Sequence, residues 1–210
     1  MPFCVLEVAS GEMIPSRWVG RVVLTTMCAV VLANLSLTMP LFAVGHVNDQ
    51  YEVAVYHNDI QDDYGLNRGL YSSDSSLILT DFTAMIWIWM LLAVVFVGLL
   101  LLDVRWGSVL HGWVLTINGM VALSFLTAKL GAASGGLVYG PDIKGFYGHV
   151  TDSAGVEWGW GPDFGWWFLV VAVFLQTLVV AMRTYVVFRE HQDQLVRIGP
   201  PPVKDTPKPT

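Results

Sequence analysis

Three histidines are the residues of this sequence that could most readily take part in chemistry, because they accompany many carboxylates in two polar segments. His46 and His57 lie in the first segment and His149 lies in the second. Imidazole and carboxylate groups bind zinc and copper in proteins, so these histidines with an aspartate could hold such an ion. They share no motif spacing, however, and we expect isolated surface histidines rather than a metal site.

Acidic residues in the first polar segment offer the hard oxygen ligands that Ca²⁺ prefers. Asp59, Asp62 and Asp63 follow one another closely there, next to Asn58. The ligand spacing of an EF-hand loop is absent, so a solvated acidic surface is the favoured interpretation. A weak Ca²⁺ site at the three aspartates stays open as an alternative.

Motifs for catalysis are missing from the sequence, which contains no nucleophile elbow, phosphate-binding loop or HExxH. Haem bound across a helix bundle needs two axial ligands at similar depth, and His111 has no counterpart. We therefore expect a protein that is not an enzyme and binds no cofactor.

Outside these polar segments the chain is mostly apolar. Hydrophobic residues make up 54% of the 210 residues and charged residues 13%, with a mean hydropathy of +0.56. Four runs are long enough to cross a bilayer, at about 18–44, 82–102, 109–130 and 164–188. The predicted fold is an all-α four-helix transmembrane bundle in one membrane domain, residues 1–188. The Pro-rich segment 189–210 is predicted to be a disordered cytoplasmic tail.

Basic residues predict the orientation of the bundle. Eight of the eleven lie on one side of the predicted spans, and only Arg68, Lys129 and Lys144 lie on the other. By the positive-inside rule, both termini and the short link between the second and third spans are cytoplasmic. The long loops 45–81 and 131–163 are then extracytoplasmic. The net charge of −6 argues against a nucleic-acid partner.

Polar and small residues within the spans predict how the helices pack. Asn34, Asn118 and Gln176 are expected to form hydrogen bonds between helices, and Gly131 and Gly135 to allow close backbone approach. Pro40 is expected to kink the first helix. Charged residues at span ends, including Asp103 and Arg183, are expected to reach water.

Both long loops contain strand-like sequence, in contrast to flexible linkers. Residues 51–56 alternate as a strand does, and residues 137–139 and 146–150 could pair around Gly140. We therefore predict a small extracytoplasmic β-sheet assembled from both loops, with two loosely ordered loops as the alternative.

Aromatic residues in these loops suit contact with other proteins. The candidate contact residues are Tyr51, Tyr56, Tyr64, Tyr71, Tyr147, Trp158 and Trp160. The sequence thus favours a membrane protein that acts in adhesion or scaffolding, or as an accessory subunit in a homo- or hetero-oligomer. The alternative is a small cation channel or transporter, formed by oligomers around an acidic mouth.

A known family shares this plan. The last span begins Gly161-Pro-Asp-Phe-Gly165-Trp-Trp-Phe, and Gly69-Leu70-Tyr71 in the first loop echoes a Gly-Leu-Trp motif. With four spans, a larger first loop and a tight inner hairpin, the chain resembles the claudin and peripheral-myelin-protein type of four-span protein. That family's two loop cysteines have no counterpart, since Cys4 and Cys28 lie outside both loops. No pore residue is therefore carried over.

Overall fold

Four long helices dominate the computed structural model, which describes residues 16–46, 51–57, 60–62, 79–137 and 142–198. They are α1 (Ser16–Thr38), α2 (Thr80–Leu101), α3 (Arg105–Ala133) and α4 (Phe164–Ile198). A 3₁₀ turn, Ser134–Gly136, extends α3. All four helices are long and apolar enough to cross a membrane, as the sequence predicts.

The first helix ends earlier than the sequence predicts. It stops at Thr38, so the expectation of a span through Val44 is wrong. Proline disfavours the helical conformation in the residue before it, and Pro40 therefore marks the end of α1 rather than a kink within it. The next residue already belongs to the sheet region, since the Leu41 N–H donates to the Val55 carbonyl at 2.7 Å.

The remaining helices are longer than predicted, whereas their order and pairing agree with the prediction. Only residues 102–104 separate α2 from α3, which pack as an antiparallel hairpin. Asp103 in this link has a φ of 52°, a left-handed conformation that Asp tolerates better than most residues. Helix α4 continues to Ile198, so residues 189–198 are helical and the predicted disorder there is wrong. Residues 199–210 lie outside the described part.

Five antiparallel strands form a single sheet. They are β1 (Phe42–His46), β2 (Tyr51–Val55), β3 (Ile60–Asp62), β4 (Gly148–Thr151) and β5 (Glu157–Pro162), in the spatial order β3-β2-β1-β5-β4. The pairing of β1 with β5 joins the two long loops, which confirms that both contribute to one sheet. Strand β2 matches the predicted strand at 51–56. Strand β4 pairs with β5. Residues 138 and 139 lie outside the described residues, so the predicted pairing with 137–139 stays a prediction.

The two central strands adjoin helices in the chain, because β1 follows α1 and β5 precedes α4. This junction connects the sheet to the bundle. The Pro40 carbonyl accepts a hydrogen bond from the Gly165 N–H at 2.8 Å, and the Leu41 carbonyl accepts one from the Asp163 N–H at 3.1 Å. A Cβ on Gly165 would lie 2.8 Å from the Met39 carbonyl oxygen. Glycine is therefore the residue that this contact between the two chain segments requires.

Sheet and helices share one hydrophobic core. Phe146 connects them, because its ring centroid lies 5.9 Å from that of Phe42 in β1 and 5.4 Å from that of Trp166 in α4. Gly131 and Gly135 approach the backbone of Phe146 and Ile143. The two glycines thus allow a close backbone approach within the chain, and the segment that they approach is their own outer loop.

Only one of the three predicted polar residues forms a hydrogen bond between helices among the described residues. Asn34 does donate to the sulfur of Met90 across to α2, at 3.5 Å. Within the described residues, the side chains of Asn118 and Gln176 form no hydrogen bond. Further interhelical bonds come from Arg183 to Ser108 Oγ and from three ring N–H groups: Trp113 to Thr184 Oγ1, Trp166 to Thr127 Oγ1 and His111 to the Leu92 carbonyl, at 3.1, 3.1 and 2.9 Å.

Candidate contact surface

The two faces of the sheet differ in composition because side chains alternate along each strand. One face carries Trp158 and Trp160 of β5 and is buried. We call the other side, which carries Glu157, Gly159 and Gly161, the open face. On the open face β5 contributes mainly glycine, which leaves the backbone of the sheet uncovered.

The open face contains a depression of about 550 Å³, which we call the sheet depression. Its floor consists of small residues from the two central strands: Ala43, Gly45, Gly159 and Gly161. Ala43 pairs with Gly161 and Gly45 pairs with Gly159 across β1 and β5. Two rows of small residues thus meet where the two loops join, and they create the concavity.

Three polar side chains form the rim of the sheet depression. Tyr147 is 78% exposed, and a Cβ on Gly161 would lie 2.8 Å from its ring, so the tyrosine lies beside the floor. His149 and Glu157 are also exposed and line the same space. These three side chains offer an aromatic ring, an imidazole and a carboxylate to a bound molecule, and His46 and Asp163 also line the depression.

The turn between β4 and β5 is held by Asp152. One carboxylate oxygen accepts hydrogen bonds from the N–H groups of Ala154 and Val156, at 2.8 and 3.0 Å. The other accepts from the Trp158 indole N–H at 3.1 Å. The backbone N–H of Val156, with the Trp158 indole and the nearby His46, holds the pKa of Asp152 below its ordinary value of 3.8.

The predicted contact residues fall into three groups. Tyr147 lies on the rim, and Tyr56 is half-buried. Trp158 and Trp160 are 7% and 8% exposed and belong to the core, so their rings present little surface to a partner. Tyr64 and Tyr71 lie outside the described residues, and for Tyr51 only the backbone is described.

Two of the histidines considered as metal ligands, His46 and His149, line the sheet depression. Among the described residues, no group of three or more His, Cys, Asp or Glu side chains could hold a metal ion. The possible Ca²⁺ ligands Asp59 and Asp63 lie outside the described part, and Asp62 is described as backbone of β3 alone.

A charged cluster at the opposite end of the bundle was not expected from the sequence. Arg183 of α4 is 1% exposed, so the prediction that it reaches water is wrong. Its Nε–H donates to Ser108 Oγ at 3.0 Å, and its guanidinium lies 3.6 Å from Asp103 and over the Trp18 ring. This cluster fixes the α2–α3 hairpin against α1 and α4.

Sequence reasoning overlooked the floor of the sheet depression and the role of Asp152. The signal for the floor was the alternation Trp158-Gly-Trp-Gly161, in which every second residue is small. The signal for the turn was Asp152-Ser-Ala-Gly155, since Asp commonly bonds to backbone N–H groups two residues on. No protein-family model matches this chain, and no curated protein sequence is significantly similar to it.

Proposed function

We propose that this chain is an integral membrane protein that acts without catalysis, and that the open face of its sheet binds another membrane protein chain. The observation that carries the proposal is the sheet depression. It combines a floor of small residues with an exposed tyrosine on the rim. Tyrosine is enriched in protein interfaces because one side chain supplies both apolar area and a hydrogen-bonding group.

The support beneath this surface favours binding. Strand β1 is joined to α1 through Pro40 and Leu41, and β5 leads directly into α4 through Asp163. A binding surface that is already rigid loses little conformational entropy when a partner docks. The sheet is therefore suited to act as a fixed platform for a partner.

The surface faces the extracytoplasmic side in this proposal. The four helices separate the sheet from the α2–α3 hairpin, and eight of the eleven basic residues belong to the hairpin end or the terminal segments. The positive-inside rule then assigns both termini to the cytoplasm. The four helices and the single sheet formed by both loops also support the likeness to the claudin type of protein. The chain differs from that type in lacking the two loop cysteines.

Site-specific photo-crosslinking in native membranes tests the proposal. A photoreactive phenylalanine analogue replaces Tyr147 or His149 on the rim. We expect each to give a discrete adduct whose mass identifies a protein partner, because both side chains are exposed beside the sheet depression. An adduct of twice the chain mass identifies a second copy of this chain.

Tyr185 provides the matched control, since it is a tyrosine that is 65% exposed and lies well along α4, away from the end of the helix that follows β5. The analogue at Tyr185 should not give the same adduct. The proposal fails if Tyr147 and His149 yield only monomer, or if Tyr185 yields the same product. Cation flux through liposomes that contain the purified chain would then favour the channel alternative.

A further inference from the structure

Four polar side chains, one from each helix, lie unsatisfied inside the bundle. They are Thr26 of α1, Trp89 of α2, Thr116 of α3 and Gln176 of α4, each at most 1% exposed. Within the described residues, none of their buried polar atoms has a hydrogen-bond partner. Buried polar groups in native proteins are nearly always satisfied, so four in one bundle require an explanation.

Contacts between the helices place three of these side chains at one depth. Between α3 and α4, Gly112 approaches Val180 and Gly119 approaches Val173. Thr116 and Gln176 each lie between these two contacts, so they are at the same depth. On the α1 side, Gly165 approaches Met39 and Arg183 lies over Trp18, and Gln176 and Thr26 occupy corresponding positions between these contacts. Thr26, Thr116 and Gln176 therefore form a layer across the bundle.

Trp89 completes this polar layer about one turn away along the bundle. A Cβ on Gly119 would lie 2.7 Å from the Trp89 indole nitrogen. The indole nitrogen therefore lies against α3, within one turn of Thr116.

The two threonines differ from the others in the helices. A threonine hydroxyl in a helix commonly donates to a carbonyl one turn earlier. Six do so here: Thr25, Thr38, Thr83, Thr127, Thr177 and Thr184. Among the helical threonines with described side chains, only Thr26 and Thr116 do not, and these two are fully buried. Their hydroxyls are therefore free to serve a group in the bundle interior.

We infer that this polar layer is a binding site for one or more internal water molecules. The site presents donors, from the Gln176 amide and Trp89 indole, together with acceptors, from the Gln176 carbonyl and the two hydroxyls. A cation would leave the N–H groups unsatisfied, and an anion would leave the carbonyl unsatisfied. Water both donates and accepts, and a buried water typically makes about three hydrogen bonds. The fully buried Ala29 and Ala172, one turn from Thr26 and Gln176, keep the surrounding side chains small.

The direction of the stability change in Gln176→Leu distinguishes a polar layer that holds water from one that does not. We expect the unfolding equilibrium constant in mixed micelles to rise about five- to thirtyfold, because the bound water and both hydroxyls lose a partner. In a dry layer the amide is itself the unsatisfied group, and the variant would be unchanged or more stable. Either of those results overturns the inference.

Thr116→Val is a smaller change, of nearly equal volume, that keeps the test decisive if Gln176→Leu does not fold. It should also destabilise the chain. Thr177→Val is the control, since the Thr177 hydroxyl bonds to the Val173 carbonyl of its own helix at 2.7 Å. We expect Thr177→Val to change the unfolding equilibrium constant by no more than about twofold.

Combining Thr116→Val with Gln176→Leu tests whether one water connects the two groups. The unfolding equilibrium constant of the double variant should rise by less than the product of the two single fold-changes. The reason is that the shared water is lost only once. A simple product of the two effects contradicts the shared site. A high-resolution structure should show water density within hydrogen-bonding distance of the Gln176 amide. Direct bonds between Gln176 and the threonines would overturn the inference.

Discussion

The sheet end and the hairpin end of the helix bundle both join α1 to α4, and they do so with different interactions. At the sheet end the backbones themselves touch, with Gly165 against the carbonyls of Met39 and Pro40. At the hairpin end a buried guanidinium, Arg183, reaches a hydroxyl, a carboxylate and an aromatic ring. The first junction depends on shape and the second on charge.

This difference predicts which changes each end tolerates. Backbone contacts leave no side chain that could move aside, so the sheet end should be sensitive to any added volume. The charged end should tolerate removal of the whole ion pair better than removal of one partner, because an unpaired buried charge is the costly state.

Gly165→Ala should have the largest effect. The new Cβ would lie 2.8 Å and 2.9 Å from two backbone oxygens, and neither can move without shifting the start of β1. We expect a loss of at least about 3 kcal/mol in the free energy of unfolding, measured in mixed micelles. Gly20→Ala is the control, because a Cβ there meets nothing within 4 Å. It should stabilise α1 by about 0.5 to 1 kcal/mol. Equal effects at both positions would contradict the shape-based junction.

Asp103→Asn should be the next most costly change. Asparagine tolerates the positive φ of this residue, so the substitution removes the charge and keeps the backbone. Arg183 then lacks its carboxylate partner, and we expect a loss of about 2 kcal/mol. Asp142→Asn is the control, since Asp142 pairs with Lys144 where both side chains are more than 70% exposed. It should change stability by less than about 0.5 kcal/mol.

The double variant Asp103→Asn with Arg183→Met sharpens this prediction. It should recover most of the lost stability, because the buried charge is removed together with its partner. A double variant that is less stable than Asp103→Asn alone would show that Arg183 stabilises the bundle by means other than this pair.

Trp166→Phe should have a moderate effect near the sheet end. It removes the indole N–H that donates to Thr127 and so weakens the contact between α3 and α4. We expect a loss of about 1 to 2 kcal/mol in the free energy of unfolding. Trp167→Phe is the matched neighbour, and its ring is 52% exposed. If the Trp167 variant loses as much stability as the Trp166 variant, the hydrogen bond is not what matters.

Acidification should have the smallest effect, confined to the β4–β5 turn. The pKa of Asp152 is lowered in the folded chain, so the carboxylate contributes stability above its ordinary value of 3.8. That contribution should disappear as the pH falls from about 3.8 through the folded-state pKa. The NMR signals of the Trp158 indole N–H and the Ala154 amide should shift in that range. In Asp152→Asn the same signals should no longer respond to pH.

The helices were largely predictable from the sequence because long apolar runs determine them. The start of α4 at Phe164 was predicted correctly, and α2 to within two residues. The end of α1 was missed because Leu41-Phe-Ala-Val44 is apolar, and a short apolar run does not distinguish a buried strand from a helix. The strong signal was Pro40, which was interpreted as a kink.

The presence of a sheet was predictable from the sequence, but the pairing of its strands was predictable only in part. Strand β2 has the usual alternation, whereas β5 contains glycines that are uncommon in strands. Its tryptophans fill the buried face while its glycines form the floor of the sheet depression. The burial of Arg183 was not predictable, since it depends on the distant hairpin that supplies Asp103 and Ser108. Such a contact is a property of the assembled bundle.

The central claim is that the sheet and the chain termini lie on opposite sides of a membrane. With Cys4 and Cys28 replaced by alanine, Tyr147→Cys and Gln192→Cys place single thiols at exposed positions of the sheet and of the far end of α4. A membrane-impermeant maleimide should label position 147 in intact cells and position 192 only after permeabilisation. Labelling of position 192 in intact cells, with position 147 protected, would contradict the account.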